Sequence, residues 1–210
     1  TKQSNFKKYD LGKIKIYSDL EYKEDRSDSI INKAIVYLDK KTGNNIPLNK
    51  LDENGINKKL IIQKIHNYAE KKIGIYPFEK IIISKKNQSR RPIYGINNLP
   101  KILSPYNESF LFEYNFLKEY LHSYFEESIS FHKRIDYWVV DGMVIYLMMD
   151  YIGKYYPNLK LIGKYADLKI LKNRNYANYA FNEQFRLFEN IISSRNIGQP
   201  IITPLDSLTR

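Results

Sequence analysis

Glu119 and His122 lie three positions apart, and Lys118 lies four positions before His122. Residues at these intervals share one face of a helix, so a carboxylate, an imidazole and an ammonium are presented together. Eighteen residues separate His122 from a further carboxylate, Asp141. Imidazole nitrogen and carboxylate oxygen are ligands for a divalent metal, and a further carboxylate aimed at a metal-bound water acts as a general base. Lys118 fits neither role, because an ammonium has no lone pair to give.

Such a constellation needs a helix under residues 118–122 and a second one to bring Asp141 back. Asn107 or Ser109 can cap the first helix, and Leu117, Tyr120, Leu121, Tyr124 and Phe125 at helical spacing extend it to about Glu127. Beyond a linker around Phe131, His132 and Lys133, a helix from about Tyr137 to Tyr156 is expected to turn Asp141 toward His122. Its apolar run Tyr137–Met149 is broken by Asp141. The run is also shorter than the ~20 residues of a membrane span, so it reads as a buried helix. Tyr176–Ser194 is a last predicted helix, with Phe181, Phe185, Leu187, Phe188, Ile191 and Ile192 apolar.

The N-terminal half supplies strands. Gly12–Ser18 alternates apolar and polar residues, and Phe78–Ser84 contains the run Ile81-Ile82-Ile83. Asp25–Lys41 predicts a helix, and the turn-rich Lys40–Gly55 a surface loop. From Asn57, the stripe Leu60, Ile61, Ile65, Tyr68 and Ala69 marks another helix ending at Gly74, with His66 expected at its surface. Lys85–Arg91 reads as a basic, solvated loop. The expected fold is therefore α+β: a strand-containing part over 1–105 and a helical part over 106–210 that carries Lys118, Glu119, His122 and Asp141.

The residues around these positions resemble a known family. Lys118-Glu119-Tyr120-Leu121-His122 resembles H-E-x-x-H, and His122-Ser123-Tyr124-Phe125 resembles H-Q-W-F. Asp136-Tyr137-Trp138-Val139-Val140-Asp141-Gly142 is similar to D-x-W-L-N-E-G, and Ile73-Gly74-Ile75-Tyr76-Pro77-Phe78 to G-x-P-Y-P-F. Their order and intervals are those of the gluzincin zinc aminopeptidases of the aminopeptidase N type. The resemblance implies a thermolysin-like catalytic domain. It puts Glu119 at the general-base position and His122 and Asp141 at metal-ligand positions, with Lys118 replacing the first ligand His.

Pro92–Leu99 falls where the family has its G-A-M-E-N strand. The resemblance then puts Gly95 beside the substrate backbone and Asn98 on the Glu that holds the substrate's free amine. An amide keeps the hydrogen-bond acceptor and loses the charge that pairs with an ammonium. The family's proton-donating Tyr has no recognisable counterpart.

Two readings follow. In the first, zinc has been lost, no cofactor is expected, and the domain is a peptide-binding or structural module whose partner is a peptide or a protein N-terminus. Lys118 then either takes the metal's place between Glu119 and Asp141 or extends its ammonium to solvent. In the second, the chain is a working zinc aminopeptidase with His122 and Asp141 as ligands and His132 as a remote candidate for the third. The missing first His favours the first reading.

Composition bounds the partners. The 210 residues carry a formal net charge of +11, with 43% hydrophobic and 14% aromatic residues and no cysteine. That excludes disulfides and thiolate metal sites and predicts a globular, soluble unit with one sizeable core or two small ones. The lysines run from Lys2 to Lys172 with acids interleaved, so no specific nucleic-acid partner is expected. A nucleic-acid-binding reading would need the positive charge to gather on one face. The chain begins Thr1-Lys2-Gln3, ends Leu208-Thr209-Arg210, and reads as a piece of a longer protein.

Overall fold

The computed structural model of the chain describes residues 6–20, 58–90, 93, 96, 104–133, 135–167 and 178–195. A small three-stranded sheet accompanied by helices makes the fold α+β, and the chain forms two compact units, Thr1–Tyr124 and Phe125–Arg210. The helix predicted over 25–41, the loop over 40–55, and both Gly95 and Asn98 lie outside the described residues.

In the first unit, β1 (Lys7–Asp10) and β2 (Lys15–Ser18) form an antiparallel hairpin. Its turn is set locally. Gly12 takes a φ of 89°, which costs glycine little, and its N–H donates to the Asp10 carboxylate at 3.0 Å. Strand β3 (Lys80–Ile83) joins β2 in parallel, with Ile16 opposite Ile81 and Tyr17 opposite Ile82. Two expected strands are thus paired; β1, whose Lys-Lys-Tyr-Asp has no apolar alternation, was not legible as a strand. Ile14, Ile16, Ser18, Ile81 and Ile83 are buried on the inner side, leaving Lys15, Lys80 and Ile82 exposed on the outer one.

The crossover between the parallel strands contains α1 (Lys58–Lys72). It ends as the sequence predicts, with the Gly74 N–H bonded to the Glu70 carbonyl and Gly74 at a φ of 125°. Its buried stripe is a correction. Lys58, Ile62, Ile65, Tyr68 and Ala69 face inward, whereas Leu60 is exposed. The run Leu60-Ile61-Ile62 satisfies helical periodicity on either of two neighbouring faces, and packing selects the one through Ile62.

The basic stretch expected as a loop is a short helix, α2 (Lys85–Arg90). Ser84 starts it: its hydroxyl accepts the Lys86 N–H at 3.2 Å, and its carbonyl accepts the N–H of Asn87 and Gln88. Lys, Gln and Arg are good helix formers, and without an apolar stripe they carry no periodic signal.

Helix α3 (Glu108–Ser128) is capped by Asn107, whose Oδ1 accepts the Phe110 N–H at 3.0 Å. In the second unit, α4 (Tyr137–Tyr155) buries Val140, Val144, Leu147, Met148, Tyr151 and Ile152 along one stripe. It is not buried all round as expected, since Trp138, Val139, Ile145 and Tyr146 are exposed. A helix that is apolar on both faces looks the same in sequence whether one face or both are covered.

The last helix is also shorter than predicted. It is α5 (Glu183–Ser194), and the buried Phe181 precedes it. The backbone there is used otherwise: the Leu161 N–H bonds the Tyr179 carbonyl, and the Phe181 N–H bonds the Leu159 carbonyl, around the Lys160–Ala180 bridge. Among the described residues no helix is long and apolar enough to cross a membrane.

Candidate functional site

Helix α3 is buried over most of its circumference. Phe112, Phe116, Tyr120 and Tyr124, at i, i+4 intervals, form a ladder of rings with centroids 5.7, 6.3 and 6.1 Å apart. A separate polar seam runs through Asn115, Glu119 and His122, at i, i+4, i+7, with Lys118 beside it.

Asn115, Glu119 and His122 are 8%, 2% and 1% exposed, and Lys118 is half-buried. Polar groups are costly to bury and are kept where structure or function uses them. The sequence placed Lys118, Glu119 and His122 on one helical face, and the structure puts that face inside. Asn115 was missed, although its position four residues before Glu119 was the available signal. Its side-chain amide donates to the Leu111 carbonyl at 2.7 Å, which holds it along the helix.

Side-chain bonds join α3 to α1. Lys64 Nζ lies 2.7 Å from Glu113 Oε1, and Glu113 is buried. His66 Nδ1 lies 2.9 Å from the Tyr120 hydroxyl, with the rings edge to face. This corrects the expectation that His66 is a surface residue: it stands next to Ile65 and four residues after Ile62, at the border of the buried stripe.

Loss of solvent holds the His66 imidazole below its ordinary pKa, while the charge of Glu70 pulls the other way. Burial pushes the phenols of Tyr106, Tyr114 and Tyr120 well above the usual range, so they act as neutral hydrogen-bonding groups. Farther along α3, the Ser123 hydroxyl donates to the Ile82 carbonyl of β3 at 3.3 Å.

Asp141 is half-buried on α4, and Gly142 beside it is exposed. His132 is exposed in the turn before α4, where its Nδ1 accepts the Ile135 N–H at 3.3 Å. That bond fixes the ring toward its own turn. The Asp136 carboxylate accepts the His132 N–H at 3.2 Å and closes the same turn.

Lys118, at the first position of the resemblance, has no lone pair to offer zinc, and a catalytic zinc site takes three protein ligands and an open position. Among the described residues there is no group of three or more His, Asp or Glu that could hold a metal ion. Compared with known proteins, the chain matches no family model, no curated protein and no solved structure.

Proposed function

We propose that the chain is a metallopeptidase-like domain of the aminopeptidase N type, thermolysin-like in fold, that has given up its zinc site and serves as a peptide-binding or structural module. One observation carries the reading: a lysine stands where the first zinc ligand belongs, beside a glutamate and a histidine only 2% and 1% exposed on the central helix. The general-base and second-ligand positions keep their residue types and burial, while the metal-binding function of the first is gone. A half-buried ammonium beside a buried carboxylate and imidazole brings a positive charge to the place a metal would take.

Asn98, at the position of the residue that binds the substrate amine, points the same way. An amide accepts a hydrogen bond from a peptide without demanding a charged N-terminus. Elemental analysis of the purified chain is the test, and less than about a tenth of an equivalent of zinc is expected. Stoichiometric zinc together with release of N-terminal residues from peptides would overturn the reading in favour of a working enzyme.

A further inference from the structure

We propose that the connection between α1 and β3 docks the first unit on an anionic lipid bilayer. Ile75 and Phe78, 73% and 52% exposed, are two large apolar side chains three positions apart that project from this connection. Exposed lysines bracket them: Lys71 and Lys72 end α1, and Lys80 opens β3. One exposed acid, Glu79, falls in the same stretch.

The connection leads into β3, and the outer face of its sheet is basic as well. Ile82 is 44% exposed there, and Lys8, Lys15 and Lys80 are exposed, with Lys80 Nζ 5.0 Å from the centre of the Tyr17 ring. Asp10 also lies on this face, 3.8 Å from Lys8. The balance is basic, as it is for the whole chain at +11.

The connection is held in shape from beneath. Tyr76 between the two projecting residues is buried, its ring 5.0 Å from that of Tyr124 and 5.6 Å from that of Phe78. The Tyr124 hydroxyl donates to the Gly74 carbonyl, and the Tyr76 hydroxyl to the Lys80 carbonyl at 3.4 Å. Ile75 and Phe78 are thus presented by a pinned backbone, so little ordering entropy opposes their insertion.

Lipid fits this surface better than other polyanions. Apolar insertion and attraction of lysines to anionic headgroups are the two signals that together hold a protein at a bilayer. Nucleic acid would use the lysines and leave the two aliphatic and aromatic projections without a role, and Lys80 already covers the Tyr17 ring that could stack on a base. A second copy of the chain would bring like charges together.

The test is co-sedimentation with vesicles of phosphatidylcholine and phosphatidylserine in equal parts, against pure phosphatidylcholine. Binding is expected to the mixed vesicles alone. Ile75→Ser with Phe78→Ser should weaken it about tenfold or more. Replacing Lys71, Lys72 and Lys80 by Gln should weaken it on the order of a hundredfold, at about fivefold per lysine.

Because the chain has no cysteine, Ile75→Cys can carry a single environment-sensitive fluorophore. Its emission should shift to the blue on mixed vesicles and stay unchanged on pure phosphatidylcholine vesicles. No binding, equal binding to both vesicle types, or an unshifted label at position 75 would overturn the proposal. So would a single-stranded oligonucleotide bound as tightly as the mixed vesicles, with the Ser variants losing nothing on either; that result would mark a general polyanion surface.

Discussion

His66 is a base whose surroundings favour its neutral form, and the consequence for stability has a definite sign. Its folded pKa lies below the usual 6.5, so between the two values the unfolded chain binds the extra proton. The stabilisation is complete above the unfolded value and is lost as pH falls toward the folded one. Urea midpoints at about pH 7.5 and about pH 5.5 should therefore drop for the parent, and His66→Phe should flatten that part of the profile. An equal drop in the variant would mean that other groups carry the acid sensitivity.

Lys118 invites the converse experiment at the same scale. By sequence spacing, Lys118→His restores the two-imidazole face, and Asp141→Glu gives the third ligand position a longer reach. The double variant should take up about one zinc per chain by elemental analysis, and each single variant much less. No gain of metal in the double variant would show that the assigned positions do not form a ligand set. On the proposed reading, uptake need not bring hydrolysis, because an amide at position 98 lacks the charge that would pair with a substrate amine.

Among the elements, α3 and α4 respond to substitution for opposite reasons. Phe116 is fully buried in the ring ladder of α3, so Phe116→Ala removes apolar contact on both sides and leaves a cavity. A loss of about 3–5 kcal/mol is expected in denaturant unfolding. On α4, Tyr146 is 68% exposed, and Tyr146→Ser should stay within about 0.5 kcal/mol of the parent. A large loss at Tyr146 would mean that the exposed stripe of α4 is covered in solution.

Over the whole molecule the surplus of lysine decides how the chain meets polyanions. At +11 with the charges spread along the sequence, duplex DNA should be bound weakly and without sequence preference. Raising salt from about 50 to about 200 mM should abolish the binding in a fluorescence-anisotropy titration, since phosphate contacts alone scale steeply with counterion release. Sequence-dependent binding that survives the higher salt would place the protein in a different class.

Local chemistry alone determined several features. Gly74 as the stop of α1 and the extents of α3 and α4 follow from capping preference and helical period, which act within a few residues, whereas the cap of α3 stayed open between Asn107 and Ser109. The strands at Ile14–Tyr17 and Ile81–Ile83 were legible because alternation and β-branching mark a buried sheet face. The same arithmetic set Lys118, Glu119 and His122 on one helical surface. What the tertiary structure decided was which surface is covered. It chose Ile62 over Leu60 on α1, left Trp138 and Tyr146 of α4 in the open, and drew His66 under Tyr120 and Asn115 into the seam. It also cut α5 short, because the backbone around Tyr179 and Phe181 bonds to Leu159 and Leu161, distant in sequence. Burial depends on neighbours brought together by the chain's path, and a periodic pattern specifies a face without naming what lies against it.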